Sequence, residues 1–491
     1  MDFAEVRKQL ETNEDRLVGM LGDLVSQMSI SEGRRGVKEC ARVLVDIHEK
    51  LGFTEAEVFD TGDWANVWAF LDEGKEHTLA VYAMFDHAPV PSGWRRDPYG
   101  ADVESIEEHP KVMFGHGIAT KGPYMTWLAG IHALKQAGVT LPFNVACLLE
   151  GEEFVGSTNY RKMINHYKDR MGNCIGLISP SAGQAPDGSV SVNLGSKGCA
   201  YFELVASGAS SGRGPLGKSV HSSAQGLVES PAWGLLEAMG LFTEKGSWGT
   251  TVLLDELNED IYLPEGEEAE LLEGIIGMFE GKDLKKVLPG VAGRGEVGRL
   301  VAEAETTREA ITRLLYYPTF NINGLRSGYV DIDSPLFSLP GEAVARLDAR
   351  YGPGQDGDEL MAAIRKILDD NGFEDIDIEN KGVHNAARAS LDDPIVKGVM
   401  DAYEEAGCDM TVWPMKPAGP PLGDICSEVG APALGGVGLG ALGADRTGPD
   451  EQWGAAADQY MILETDSPDI AGFLDSAEFY ARYVMAIGEH L

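Results

Sequence analysis

Carboxylates at the ends of buried strands are well placed to move protons once burial lifts their pKa toward neutrality. This chain has two such places. The apolar run LPFNVACLL leads into GEEFVGS, which carries Glu152 and Glu153, and VYAM leads into Phe85, Asp86 and His87. Ligands gather at strand ends of α/β sheets, so Asp86 reads as an acid, a base or a partner for His87, or else as a turn cap. Glu153, by its position alone, reads as the acidic start of a helix opened by EFVGSTNYRKMI and held by its dipole. His116, in GHGIATKGP, is a second histidine on an irregular loop. Two loop histidines more often make hydrogen bonds than coordinate metal, although with Glu152 or Asp445 they could form a mononuclear site. Cys40, Cys147, Cys174, Cys199, Cys408 and Cys426 show no spacing that suggests zinc or a disulfide frame. There is no Gly-x-Ser-x-Gly elbow or Walker loop, and GGVGLGALG lacks the βα turn and ribose-binding acid of a dinucleotide site.

The scaffold that must hold these residues reads in two textures. Residues 1–50 are predicted helical, and segments ending near Val58, Trp68 and Tyr82 are predicted strands separated by Gly and Asp. Residues 122–138 carry helical spacing with Gly138 as a stop, and the buried-strand run through Cys147 follows. Strand, helix, strand implies a βαβ unit and a mainly parallel sheet covered by helices. After Pro180 the texture turns small and polar, and then CAYFELVAS alternates like a strand with one wet face. Glu- and Leu-rich helical spacing over 254–312, the strands NINGLRSGY and ARLDARY and the helix DGDELMAAIRKILDDNG make this region α+β. From about Asp392 the first texture returns. The reading is an α/β domain, 1–195 and 385–491, interrupted by an α+β domain, 196–384.

Composition limits the partners. A chain of 491 residues exceeds one ordinary core. With 40 Lys+Arg against 78 Asp+Glu, its formal charge of −38 repels phosphate backbones and anionic lipid, which argues against nucleic acid and membrane as partners. The N-terminus lacks the basic start and apolar run of a secretory signal, and the longest apolar stretches are too short for a bilayer. A reducing cytoplasm is the expected location.

Several segments in order resemble the superfamily of two-zinc peptidases and amidohydrolases that includes glutamate carboxypeptidase, aminoacylase and carnosine dipeptidase, with a layout closest to the last. They are VYAMFDHAPVPSGWRRDPYG, GHGIATKGP, NVACLLEGEEFVGS, LISP, LGSKGCAYFELV, VHSSAQGLVESPAWGLL, PTFNINGLRSGY, ARLDARYGPGQD and GADRTGPDE. The resemblance implies a catalytic α/β domain, an inserted lid that usually dimerises, and hydrolysis of an amide next to a carboxylate. It also implies a metal site whose ligand positions are filled here by other residues. The ligand histidine falls on Met84, the bridging Asp on Thr120, a metal-binding carboxylate on Phe154, a further Asp on Pro180 and the final His on Thr447. Zinc needs N, O or S donors, so a family-type pair of ions is not expected, and no cofactor is.

What survives carries roles by resemblance. Glu153 matches the general base, although a one-residue insertion would make Glu152 and Glu153 the pair. His221 matches the lid histidine that reaches across a dimer to stabilise the oxyanion. Arg350 matches the lid arginine that grips the substrate carboxylate, work suited to a planar fork. Gly419 falls in a substrate loop, Asn323 is a weaker substrate contact, and His87, His116 and Lys121 could supply charge in place of a metal. The expectation is a metal-independent hydrolase of an amide or related C–N bond in a small carboxylate-bearing substrate, acting as a homodimer. The alternatives are a non-hydrolytic acid/base enzyme (isomerase, racemase, cyclase or lyase) on the same cleft, or a metal-free binding protein.

Overall fold

The structure is a computed structural model that describes residues 3–288, 297–329, 337–445 and 456–491. At its centre the strands His77–Met84 and Asn144–Glu150 run parallel, in register from Thr78↔Asn144 to Met84↔Glu150. Every residue of Asn144–Glu150 is buried, which is why both strands read as unbroken apolar runs. Asn173–Pro180 lies parallel on the other side of His77–Met84, and Ala433–Val437 is parallel to it in turn. The register has a direct consequence for the site, because parallel strands that end together deliver Asp86 and the Glu152–Glu153 loop side by side.

The eight-stranded sheet is mixed, a parallel centre with antiparallel pairs on either side of it. Glu55–Asp60 and Ala65–Leu71 are joined by a short turn, which can link only antiparallel neighbours, and Ala65–Leu71 is antiparallel to Asn144–Glu150. At the other side Val190–Asn193 meets Ala433–Val437 antiparallel and pairs in parallel with Met410–Trp413. Helices cover both faces. On one, Ile118–Gln136 packs against Phe3–Ser26 and Phe473–Glu489, so closely that a Cβ on Gly130 would lie 2.4 Å from the Ala477 carbonyl oxygen. On the other, Tyr160–Met171 and Gly423–Val429 bury Trp68, Tyr82 and Leu148.

The inserted domain is an antiparallel sheet in the order Thr319–Ser327, Glu342–Tyr351, Gly198–Ser207, Asp377–His384. Helices Pro231–Met239 and Gly357–Asp370 cover one face and share its core with Phe202, Leu204 and Leu347. The edge strand Thr319–Ser327 is largely exposed. Two further helices, Glu267–Phe279 and Thr307–Tyr316, pack with Trp413 and Met415 of the α/β domain. Lys197 ties this helical pair down, its ammonium donating to the carbonyls of Leu314 and Tyr317 at the end of the second helix.

Candidate active site

The loop after Asn144–Glu150 folds into a short 3-10 turn, Glu153–Val155, instead of opening a long helix. Asp86 caps that turn: its fully buried carboxylate accepts the Phe154 N–H at 3.1 Å. Burial, and then the charge of Glu153, push the Asp86 pKa up to about 8. Glu150, beneath the loop, accepts hydrogen bonds from the Tyr82 hydroxyl and, at 3.1 Å, from Ser157, and burial holds its pKa well above the carboxylate range.

The adjacent glutamates divide into two roles. Glu152 is fully buried and its oxygens are taken by Asn66 Nδ2 at 3.2 Å, the Asn159 N–H at 3.0 Å and Asn159 Nδ2 at 2.8 Å. That arrangement fixes the loop and, with Glu152 buried away from the cleft, commits both its oxygens to structural bonds, which does not fit the catalytic role expected of it. Glu153 remains partly exposed with its carboxyl desolvated. Desolvation raises its pKa, and the nearby charges of His384 and Arg350 pull it back only in part.

The lid sheet supplies those two cations. Across three strands Arg350 pairs with Cys199 and Cys199 with His384, so both cationic side chains lie in one row on one face. Arg350 donates Nε to Asp348 at 3.2 Å and keeps the rest of its fork available. His384 donates Nδ1–H to Asp424 at 2.7 Å and Nε2–H to the Gly156 carbonyl at 3.0 Å. Both nitrogens therefore face acceptors, which requires the imidazolium. Burial works against that charge, but the hydrogen bond and charge of Asp424 and the Gly156 carbonyl outweigh it and raise the pKa. Neither His384 nor Asp424 was anticipated from sequence, since no local motif marks them. Only the lid register, which puts His384 opposite the neighbour of Arg350, would have found them.

Other expected site residues are placed elsewhere. Lys121 is buried and donates to the carbonyls of Leu24 at 3.0 Å and Gln27 at 2.6 Å, fastening the N-terminal helix rather than meeting substrate. His87 uses both nitrogens, accepting from the Ser29 N–H at 3.3 Å and donating to Ala88 O at 2.9 Å. His116 also donates to Ala88 O, at 2.8 Å, and is fully buried. Their rings meet at 4.3 Å as packing partners, which corrects the substrate-contact and charge roles expected of them. Asn323 lies on the exposed edge strand, where it accepts from Asn321 Nδ2 at 2.7 Å and has no described contact with Glu153. Gly419 sits on an exposed loop over Ser196, whose Oγ would be 2.8 Å from a Cβ there. His221 is exposed on the lid. Its Nδ1 accepts from the Ser223 N–H at 3.2 Å and from the Ser223 hydroxyl at 2.9 Å, so Nε2 carries the proton and points it to solvent. Within one chain His221 meets none of the residues around Glu153.

The family's paired zinc ions do not fit the residues present. Met84 offers a thioether, Phe154 and Pro180 no side-chain donor, and Thr120 only a neutral hydroxyl, turned toward the carbonyls of Gly117 and Asp86 at 3.0 and 3.4 Å, where a bridge between two ions needs a carboxylate. Thr447 and the side chain of Asp445 lie outside the described residues. Among the described residues no group of three or more His, Cys, Asp or Glu is arranged to hold an ion.

Comparisons with known proteins agree with this architecture. Residues 206–376 match the peptidase dimerisation domain of the M20 family. The chain is similar to the Cys-Gly metallodipeptidase dug1 of Schizosaccharomyces pombe, 22% identical over 74% of this chain and 75% of that one. It is 21% identical to the human Beta-Ala-His dipeptidase over 60% of this chain, an alignment that spans 54% of the human protein. Its fold superposes on an M20 family metallo-carboxypeptidase, Sso-CP2 of Sulfolobus solfataricus, with a TM-score of 0.77 and 25% identity, covering 96% of this chain and 99% of the other. Human carnosine dipeptidase 1 superposes with a TM-score of 0.70 at 18% identity over 99% of this chain and 100% of that one. Residues 206–376 thus carry the peptidase dimerisation domain, and in catalytic layer and lid alike the chain is similar to peptidases of the M20 family.

Proposed function

We propose that the protein hydrolyses an amide bond in a small carboxylate-bearing substrate, with Glu153 as general base and without the paired metal ions of its relatives. The observation that carries this reading is the Glu153 carboxyl, desolvated yet open to the cleft, with two cations in a single row beside it. Arg350 grips the substrate carboxylate through its free fork. His384 has both N–H groups committed and contributes charge alone.

In this reading Glu153 takes a proton from the attacking water as its oxygen bonds to the carbonyl carbon. It returns the proton to the amine nitrogen as the C–N bond breaks, so the products are a carboxylic acid and an amine. The developing oxyanion needs a donor, and the exposed Nε2–H of His221 from a second copy of the chain fills that role. Lid pairing would use the open edge strand and the helix that exposes Trp233 and Leu236. Losing the ions gives up a lowered water pKa and a Lewis acid, several kcal/mol of barrier, so the substrate should be an activated amide. The test is a screen of N-acyl amino acids and dipeptides with elemental analysis of the purified protein. Turnover that survives exhaustive chelation and is abolished by Glu153→Gln supports the reading. Zinc near two per chain, with activity lost on chelation, overturns it.

A further inference from the structure

A second feature of the lid concerns what the substrate carries besides its carboxylate. Phe337 is 70% exposed and has φ +59°, a left-handed backbone that a bulky residue keeps only where the surroundings impose it. What holds it is the two-stranded antiparallel ribbon that carries His221: Ser219–His221 pairs with Ser338–Pro340, and the Ser222 N–H donates to the Phe337 carbonyl at 2.7 Å. The two rings stand 6.2 Å apart with planes tilted by 33°. His221 and Phe337 are thus one rigid unit, and any cleft that receives the imidazole receives the phenyl with it. On the other side, the residue next to Glu153 is Phe154, itself 39% exposed although its backbone N–H is pinned by Asp86. An exposed phenyl ring therefore stands next to the proton carrier, and a second stands next to the oxyanion donor.

We propose that Phe154 and the Phe337 of a second copy form an apolar grip on the acyl portion of the substrate, so that this enzyme selects amides with a bulky apolar acyl group. The inference rests on the reading that His221 completes the cleft of another copy. The acyl side is assigned because Arg350 already claims the carboxylate of the amine side. Two phenyls gain nothing from a charged or strongly hydrated group and gain from every methylene they remove from water. The grip depends on packing of an inert part of the substrate, so it is read as affinity rather than as rate.

The experiment is calorimetric titration of the Glu153→Gln dimer with two probes, N-acetylglycine and N-hexanoylglycine, which share the amide and carboxylate and differ only in acyl length. The hexanoyl probe is expected to bind about tenfold more tightly. Phe337→Ala or Phe154→Ala in that background should bring the two affinities to within about twofold, whereas Phe337→Tyr, which keeps the ring, should retain the preference. Phe154 lies outside the lid, so its variant gives an independent answer if Phe337→Ala loosens the dimer, which sedimentation reports. Equal affinities in the parent, a preference untouched by both alanine variants, or binding of neither probe would overturn the proposal. The general-base reading is scored separately, by turnover of Glu153→Gln against the unsubstituted enzyme. Retained turnover sinks that reading, whereas the affinity ratio alone decides the grip.

Discussion

Glu153 must be deprotonated to accept a proton, and its surroundings pull in both directions. Desolvation raises its pKa, while Arg350 and His384 lower it. Activity should therefore rise with pH through a limb above the ordinary carboxylate range. Arg350→Ala removes one of the two opposing cations, so that limb should move to higher pH, and KM should rise about tenfold or more, since a bidentate carboxylate grip is made equally in ground and transition states. A pH–rate profile with an unmoved limb would separate Arg350 from Glu153. Asp86 carries a second titration. Its folded pKa of about 8 lies above the ordinary aspartate value, so the folded chain holds a proton that the unfolded chain releases, and stability present at acid pH is lost as pH rises through that window. Asp86→Asn keeps an acceptor for the Phe154 N–H and removes the titration. Thermal melts from pH 5 to about pH 8 should accordingly be flatter for the variant than for the parent.

At the scale of elements, the clasp between lid and catalytic loop is the His384 imidazolium, gripped by Asp424 and donating to Gly156. The close approach of the two backbones leaves no room for side chains there, because a Cβ on Gly382 would lie 1.9 Å from the Gly156 carbonyl oxygen. His384 has a raised pKa, so the stability it contributes is complete below the ordinary histidine value and is lost as pH rises through the raised one. Asp424→Ala leaves the imidazole buried without its counter-ion. Breaking a buried pair from one side costs about 3–5 kcal/mol, so the variant should melt markedly lower, and Glu153 should feel one cation fewer at neutral pH. An unchanged melting temperature would show that the clasp contributes nothing. The same elements show what a sequence can and cannot reveal. His77–Met84 and Asn144–Glu150 were legible because sheet burial on both faces writes an apolar run into the chain itself. The hairpin of Val103–Ile106 and His109–Phe114 was not, because its first strand is mostly exposed and polar and carries no apolar alternation. The choice between Glu152 and Glu153 depended on Asn66, a partner far away in the chain, and His384 depended on a sheet register that no local pattern encodes.

At the scale of the whole molecule, one chain holds Glu153 in its α/β domain and His221 on the open lid, with no described contact that brings them together. A chain with a formal charge of −38 would repel a second copy over most of its surface, which puts weight on the apolar patches of the lid for association. Trp233, 61% exposed, and Leu236, 45% exposed, lie on the helix Pro231–Met239 of the lid, whose open edge strand is Thr319–Ser327. Sedimentation at micromolar concentration should give a dimer, and Trp233→Asp should shift it toward monomer together with a loss of turnover. The stricter test is complementation. Glu153→Gln and His221→Ala should each be inactive as homodimers, the first lacking its base and the second its oxyanion donor. In a mixed dimer, however, the His221→Ala chain keeps Glu153 and receives His221 from its neighbour, so one site of the pair is whole while the other lacks both groups. Random co-assembly makes half the dimers mixed, and the co-expressed pair should therefore recover about a quarter of the parent turnover. Recovery near zero would mean that His221 works within its own chain or not at all, and the site would then have to be complete in a monomer.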